Sequence, residues 1–447
     1  MIQRIILFLG ICFPFLLQAQ EPVTVECRIG DKIGREIFLF GVENGRKVVM
    51  ANAVYQDKGY YGFKFIPDYE GFYVIGDKQN YQYPVYLKGG DAVSVYIGAD
   101  TVYLTGKNNT PENKMLYEWV ALSRSVEAKS IRTGRVRSTY RDFFPEFEAF
   151  LPAADRFKEK IKTKNTRFNE LLRRSIDYEK DLYAIMYLYS PRSEHPTREQ
   201  RLSYYSAIIN PDKFKDDLVL QMPYGMDLLK RYTLFITLEK KLGNNWQQVL
   251  EEIQDVRLKG ELIVDKASYL KSFFEYEKLV KEYGSLLNAD QKLRLEDIGA
   301  KLYEARKGQP SADFTYPDPE GKPVSLSDFK GKVVMVDVWA TWCGPCRKEL
   351  PYLKTLEEEM KGKDVVFIGV SLDEKKDFEK WKKFIVDEQL SGVQLFAGGW
   401  SKIAKDYKIT GIPRFMVFGK DGQVVEANAP RPSAPELKEL LEAELKK

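Results

Sequence analysis

The 447-residue sequence contains one histidine, His195, and only four cysteines. A single histidine excludes metal sites built from several histidine ligands, and any catalytic triad would need that residue. Four cysteines are too few for a small scaffold held together by disulfide bonds. Lys and Arg outnumber Asp and Glu by 69 to 65, so the net charge of +4 provides no electrostatic case for a nucleic-acid partner. If the chain performs chemistry, the cysteines are the first candidates.

The amino-acid composition is close to the average for globular proteins. The sequence is 44% hydrophobic and 30% charged, which is typical of globular proteins and excludes a disordered chain or a multi-span membrane protein. At roughly 150 residues per domain, the length predicts about three domains.

The first 20 residues have the layout of a secretory signal peptide, with Arg4 before an apolar run over residues 5–17 and predicted cleavage after Ala19. As a helix this run would be about 20 Å long, too short for a hydrocarbon core of ~30 Å. Pro14 also argues against a permanent membrane helix. A short N-terminal anchor is the alternative, and a lipoprotein site at Cys12 is disfavoured because that residue lies inside the run.

Cleavage would leave Cys27, Cys343 and Cys346, an odd number for an exported protein. Cys27 lies in Val23–Ile29, where apolar and polar residues alternate, so it shares one face of a predicted strand with other apolar residues. We expect it to be a small core residue. A mixed disulfide or a regulatory thiol is the alternative.

The remaining sequence divides into three regions. Residues 21–107 predict a small antiparallel β-sandwich or barrel, because short β-branched and aromatic runs alternate with turns. Residues 108–306 predict a mostly α-helical region that begins at Thr110-Pro111, a typical N-cap followed by a first-turn proline. His195 follows a proline-containing stretch in a predicted exposed loop. The predicted strands of the first region are Glu36–Phe40, Lys47–Val54, Tyr61–Ile66, Phe72–Ile75, Val85–Leu87, Val93–Ile97 and Val102–Leu104.

Residues 307–447 predict an α/β domain, because strand and helix patterns alternate after Gly308-Gln309-Pro310. The predicted elements are a buried central strand over Val333–Trp339, a helix over Cys346–Met360, a strand over Val365–Ser371, a helix over Asp377–Glu388, a hairpin formed by Phe415–Phe418 and Val424–Val425, and a terminal helix near Pro435.

Cys343 and Cys346 flank Gly344-Pro345 between the predicted central strand and the following helix, which predicts a redox-active pair. Residues three apart share one face of a helix, close enough to form a disulfide. Helix N-terminal amides stabilise an anion and can bring a cysteine pKa into the range of about 3.5–7.5. A structural zinc site would need four ligands and therefore both Cys27 and His195. A purely structural disulfide across so short a loop would constrain the unfolded chain little.

Several motifs resemble those of the thioredoxin superfamily. Trp339-Ala-Thr-Trp-Cys-Gly-Pro-Cys346, with Pro351 downstream, resembles the superfamily as a whole. Three further segments are similar to those of exported TlpA/ResA-like thiol–disulfide oxidoreductases, a likeness that covers about residues 308–447; they are Asp313-Phe314, Gly321–Lys332 and Tyr407–Pro413. Residues 21–107 resemble the β-rich DUF4369-type module of Bacteroidota envelope proteins through their strand rhythm and Tyr103-Leu-Thr-Gly106.

The resemblance implies a role for each matching residue. Cys343 would be the attacking thiol and Cys346 the resolving thiol. Asp337 would be a buried carboxylate with a raised pKa that moves a proton to or from Cys346. Glu349 would tune the thiols, or it would be an ordinary surface carboxylate.

The resemblance also implies a substrate groove beside the dithiol. Pro413 would follow a cis peptide bond, and Trp342 would present a flat surface to partner proteins. Arg414 departs from the pattern at a position where thioredoxin usually has threonine, and Phe418-Gly419 replaces a common Ile-Asp; both affect the expected substrate preference. The implied groove residues are Trp342, Gly344, Pro345, Ile412 and Pro413.

As a whole, the resemblance implies an exported enzyme that reduces disulfides of periplasmic proteins, with electrons from a membrane thiol carrier and with no cofactor or metal. The dipeptide Gly344-Pro345 favours the reducing direction. A peroxiredoxin is excluded because Val336 and Ala340 occupy the positions of its Pro and Thr. A disulfide oxidase or isomerase stays open, as does a binding or assembly protein whose redox domain acts as a sensor.

Overall fold

The computed structural model describes residues 21–30, 36–54, 59–99, 101–131, 138–243, 245–307 and 312–447. The predicted signal peptide, including Cys12, lies outside these residues. None of the described helices is long and apolar enough to cross a membrane. The chain divides into two compact units, residues 1–258 and 259–447. That division falls inside the predicted helical region, and the boundaries after residues 107 and 306 stay predictions.

The first unit begins with two four-stranded sheets, in the orders β4-β1-β7-β8 and β3-β2-β5-β6. β1 pairs antiparallel with β4 but parallel with β7. The barrel alternative is therefore corrected, because the described strands form two separate sheets that do not close, and the predicted antiparallel pairing has one exception, the parallel pair β1–β7. The strands are β1 Val23–Ile29, β2 Glu36–Glu43, β3 Arg46–Val54, β4 Tyr60–Phe65, β5 Gly71–Gly76, β6 Gln82–Leu87, β7 Ala92–Ile97 and β8 Val102–Leu104.

Cys27 is a core residue of β1, as its sequence alternation predicts. Val23, Val25 and Cys27 are fully buried, whereas Glu26 and Arg28, which flank Cys27, are exposed. Burial raises the pKa of the Cys27 thiol to about 12. The thiol is therefore protonated at neutral pH and a poor nucleophile.

Helices complete the first unit. Thr110 Oγ1 accepts a hydrogen bond from the Asn113 amide at 3.2 Å, and Pro111 is the first residue of α1, as predicted. His195 lies in an exposed loop, also as predicted. The helices are α1 Pro111–Ser130, α2 Tyr140–Lys160, α3 Thr166–Tyr189, α4 Tyr204–Ile208, α5 Gly225–Glu239 and α6 Trp246–Glu251, with 3-10 turns at Pro211–Phe214 and Leu218–Gln221.

The second unit combines three helices with an α/β domain; the first helix, α7, starts just before the boundary. The helices are α7 Val256–Ser268, α8 Phe273–Tyr283 and α9 Ala289–Lys307, with a 3-10 turn at Gly284–Leu286. The elements that follow are β9 Thr315–Pro317, β10 Pro323–Ser325, β11 Val333–Trp339, α10 Gly344–Glu359, β12 Val365–Ser371, α11 Phe378–Asp387, β13 Val393–Phe396, α12 Lys402–Asp406, β14 Arg414–Phe418, β15 Val424–Ala429 and α13 Pro435–Leu445, with 3-10 turns at Leu326–Phe329 and Lys375–Asp377.

The strand β11 is the centre of a mixed five-stranded sheet in the order β13-β12-β11-β14-β15. It runs parallel to β12 and antiparallel to β14. All seven of its residues are buried because both faces of the sheet are covered. Val334, Val336 and Val338 pack into one core, while Val333 and Met335 pack into the other. Since side chains alternate along a strand, Asp337 shares the second face.

Two helices of the second unit contact β15, an outer strand of this sheet. The amide of Phe273 at the start of α8 donates to Glu426 Oε2 at 3.0 Å, and Ser272 Oγ donates to the same oxygen at 2.9 Å. α9 also contacts β15. These contacts satisfy a carboxylate that is only 4% exposed.

Candidate active site

The two cysteines at the end of β11 form a disulfide. Cys343 is the N-cap of α10, and Cys346 lies in the first turn of this helix. Their Cα atoms are 5.3 Å apart, and Cys343 Sγ accepts a hydrogen bond from the Cys346 amide at 3.1 Å. A backbone donor and the positive end of the helix thus meet at the sulfur of Cys343, where they would stabilise a thiolate after reduction.

Both cysteines are almost fully buried in an apolar cluster. Cys343 is 4% exposed and Cys346 is 3% exposed, and both pack with Trp339, Trp381 and Phe396. A pair so enclosed can be reached by a substrate only where the surrounding surface leaves an approach. The predicted groove residues are the candidates for that approach.

The five predicted groove residues lie at or near the protein surface beside this cluster. Trp342 is 57% exposed, and Gly344 and Pro345 are exposed as well. Ile412 packs against the cluster that contains both cysteines, and the Ile412–Pro413 peptide bond is cis. The structure therefore places Ile412 beside the disulfide together with the chain neighbours Trp342, Gly344 and Pro345, and Pro413 directly follows Ile412.

Arg414, the predicted charge at the edge of this groove, is turned toward the sheet. Its Nη1 donates to the carbonyl of Ala427 on β15 at 3.2 Å, and its side chain is half-buried. Burial lowers the pKa of Arg414, and the nearby carboxylate of Glu426 raises it. The residue stays cationic and is held by the neighbouring strand.

Asp337 is buried on the central strand β11, and its Oδ1 has no hydrogen-bond partner in the described part of the chain. Burial, together with a smaller contribution from repulsion by the carboxylates of Glu349 and Glu357, raises the pKa of this carboxyl to about 8. A group that titrates near neutral pH can both accept and release a proton under ordinary conditions.

A small cavity connects Asp337 with polar side chains that sequence reasoning missed. Lys354, Glu357, Ser391 and Gln394 line it together with Asp337. Glu357 accepts a hydrogen bond from Ser391 Oγ. The cavity leaves about 20 Å³ for the centres of water molecules, enough for about one. The only sequence signal was helical spacing, which places Leu350, Lys354 and Glu357 on one side of α10.

Glu349 is buried rather than exposed, so the alternative of an ordinary surface carboxylate is wrong. It is 7% exposed, and its oxygens accept hydrogen bonds from the Ser433 amide at 3.0 Å and from Ser433 Oγ at 3.1 Å. Arg431 Nη1 lies 3.7 Å from Oε1. The role of Glu349 in tuning the thiols stays a prediction.

We expect Glu349→Gln to lower the pKa of Asp337 from its value of about 8, because the substitution removes a nearby negative charge. The decrease should be modest, since burial is the larger cause. Carbon-detected NMR titration of the Asp337 carboxyl measures it. Glu359→Gln is the matched control on the same helix, since Glu359 pairs with Lys438 on the surface. An unchanged Asp337 pKa in Glu349→Gln would contradict this electrostatic coupling.

A disulfide at the first turn of a helix, directly after the central strand of a mixed sheet and beside a cis proline, defines a thioredoxin-like dithiol protein. Residues 306–442 match the Redoxin family model. The chain is 37% identical over 141 residues to the thiol-disulfide oxidoreductase ResA of Bacillus thuringiensis subsp. konkukian, covering 31% of this chain and 77% of the relative. It belongs to the TlpA/ResA-like thiol–disulfide oxidoreductases of the thioredoxin superfamily.

Two further matches also cover about a third of this chain and most of the matching protein. ResA of Bacillus anthracis is 36% identical over 140 residues, which cover 31% of this chain and 77% of that protein. The solution structure of a putative thiol-disulfide oxidoreductase from Bacteroides vulgatus is 46% identical, with a TM-score of 0.29, and the match covers 32% of this chain and 93% of that one. The DUF4369-type likeness of residues 21–107 stays a prediction.

Proposed function

We propose that this oxidoreductase is exported to the periplasm or cell envelope and reduces disulfide bonds of proteins there. The observation that supports the proposal is the arrangement of Cys343 at the start of α10 with Cys346 bonded to it, directly after the strand that carries the buried carboxyl of Asp337, whose Oδ1 has no hydrogen-bond partner among the described residues. The groove formed by the surface around Trp342 and Pro413 would receive the substrate chain.

The proposed reaction begins with the reduced dithiol. The Cys343 thiolate attacks one sulfur of the substrate disulfide; a bond forms between Cys343 and that sulfur, and the other substrate sulfur leaves as a thiolate and takes up a proton. Asp337 then accepts the proton of Cys346. The Cys346 thiolate attacks Cys343, which releases the second substrate thiol and forms the enzyme disulfide. Two electrons have passed to the substrate.

The cycle closes when a second dithiol reduces the Cys343–Cys346 disulfide and is itself oxidised. A membrane thiol carrier is the proposed donor, because an exported enzyme needs a source of electrons on its own side of the membrane. No metal or cofactor takes part in the proposed cycle.

The test follows the rate of insulin reduction in the presence of dithiothreitol. We expect Cys343→Ser to lower this rate to that of dithiothreitol alone. A serine hydroxyl cannot form the mixed disulfide. Cys27→Ala is the matched control, because Cys27 lies in the core of the other unit and should leave the rate unchanged. Wild-type activity in Cys343→Ser would contradict the proposal.

A redox titration of the Cys343–Cys346 pair tests the direction of the reaction. A reductase is expected to have a potential near that of thioredoxin, about −270 mV, whereas a potential near about −120 mV is that of a strong oxidant. The second result would replace the reductase with the oxidase or isomerase named above.

A further inference from the structure

A large cavity lies inside the first unit, which contains neither active cysteine. It leaves about 280 Å³ for the centres of water molecules, more than ten times the roughly 15 Å³ that one water needs. Its walls come from β3, β5 and β6 on one side and from α1, α3 and the start of α5 on the other. Such a space between layers of one compact unit is large enough for a small organic molecule.

The carboxylate of Glu179 on α3 lies in the wall of this cavity. Its Oε1 accepts hydrogen bonds from Ser175 Oγ at 2.8 Å and from Tyr224 OH at 3.1 Å. Its Oε2 accepts from Trp119 Nε1 at 2.8 Å and from Tyr183 OH at 2.9 Å. Hydrogen-bond donors therefore surround both oxygens of the carboxylate, although the Tyr224 hydroxyl shares its proton with the Ser175 carbonyl, which also lies 3.1 Å away.

All four donors are neutral. Burial raises the pKa values of Tyr183 and Tyr224 well above the usual range, so both keep their hydroxyl protons. The described residues form no ion pair with Glu179, and burial raises the pKa of its carboxyl as well. A cation in the cavity would offset the cost of that buried charge.

The composition of the wall favours a positively charged guest. Among the described residues that line the cavity, the carboxylates of Glu127, Glu179 and Asp227 outnumber one lysine, Lys47. The ammonium of Lys47 donates to Gln82. The aromatic lining residues are Phe72, Tyr83, Trp119, Tyr183 and Tyr224.

We propose that this cavity binds a small organic cation of the N-methylated or quaternary ammonium class. The charge of Glu179 attracts a cation, and hydrogen-bond donors of the protein already surround both of its oxygens, so the cation needs no N–H group. Methylated ammonium ions have this character, and aromatic rings bind them through their negative faces. Tyr183 and Tyr224 donate to an anion, which makes their rings richer in electrons and better partners for a cation.

Calorimetric titration of the full chain with three probes tests the proposal. Choline is the quaternary cation, 3,3-dimethylbutan-1-ol is its neutral carbon isostere, and ethanolamine is the primary amine. We expect one saturable choline site, with at least tenfold weaker binding of the isostere and weaker binding of ethanolamine. Equal binding of choline and the isostere, or no choline binding at millimolar concentration, would overturn the proposal. This comparison requires no variant to fold.

The variant Glu179→Gln tests whether choline binds in this cavity. A glutamine can place its amide nitrogen between the hydroxyls of Ser175 and Tyr224, which can turn to accept, and keep its oxygen for Trp119 and Tyr183. We therefore expect a folded protein with at least tenfold weaker choline binding. Asp181→Asn is the matched control: Asp181 is buried on the same helix, pairs with Lys213, and does not line this cavity. Unchanged choline affinity in Glu179→Gln would refute the assignment.

Discussion

Asp337→Asn is expected to make the oxidised second unit more stable at pH 9 by several kcal/mol, with little effect near pH 4. The pKa of Asp337 is about 8 in the folded protein, against 3.8 for an unburied aspartate. Between these values the unfolded chain loses the proton while the folded chain keeps it, so stability falls as the pH rises. At ~1.4 kcal/mol per pKa unit, the loss of stability approaches roughly 6 kcal/mol. Asparagine does not ionise and avoids it.

Urea denaturation of the full chain at several pH values, followed by fluorescence and circular dichroism, measures this effect. Asp373→Asn is the matched control, because Asp373 is equally buried but accepts hydrogen bonds from the Thr341 amide, Thr341 Oγ1 and Ser371 Oγ. That variant should be less stable at every pH, since it breaks satisfied hydrogen bonds. If Asp337→Asn lost stability at pH 9, the raised pKa would be wrong.

The same substitution should slow disulfide reduction. Asparagine cannot accept the proton of Cys346, and general acid–base catalysis contributes about 10²-fold or more. We therefore expect Asp337→Asn to be more stable at pH 9 and less active in disulfide reduction than the wild-type protein.

Cys346→Ala is expected to turn the enzyme into a covalent trap. The mixed disulfide on Cys343 is normally resolved by a sulfur that lies three residues away in the same turn. Without it, resolution must come from a thiol in solution. Because intramolecular groups act at effective concentrations of about 10⁵ M or more, the lifetime of the mixed disulfide should rise at least about 10³-fold.

Non-reducing electrophoresis and mass spectrometry of the linked peptides detect the trapped species. The double variant Cys343→Ser with Cys346→Ala should form no adduct. Adding Cys27→Ala to Cys346→Ala should leave the trap intact. Failure of Cys346→Ala to form adducts with envelope proteins would count against protein substrates, and adducts on Cys27 would contradict the assignment of the nucleophile.

Most elements of the second unit could be predicted because their signals are local. A run of seven residues that is buried on both faces marks β11, and two cysteines three residues apart mark the start of α10. The N-cap Thr110 and the following proline mark α1 in the same way. Each signal lies within one element, so it does not depend on how the elements pack.

The features that were missed depend on contacts between distant residues. Neither the alternation of apolar and polar residues nor the spacing of the turns predicts the parallel pairing of β1 with β7. Glu349 is buried because it is hydrogen-bonded to Ser433, 84 residues later in the chain. The cavity beside Asp337 combines Glu357 from α10 with Gln394 from β13, and no local pattern connects them.

The contacts of α8 and α9 with β15 affect how the sheet meets other chains. An outer strand with free backbone groups can recruit a strand from another molecule and begin aggregation. Here helices from the preceding segment occupy that flank, and they supply the donors for Glu426. A chain truncated to begin at residue 307 would lack these helices. The buried carboxylate of Glu426 would then lose those donors, and the outer strand β15 would be accessible to other molecules. We therefore expect the oxidoreductase domain to be more prone to aggregation without residues 259–306 than with them.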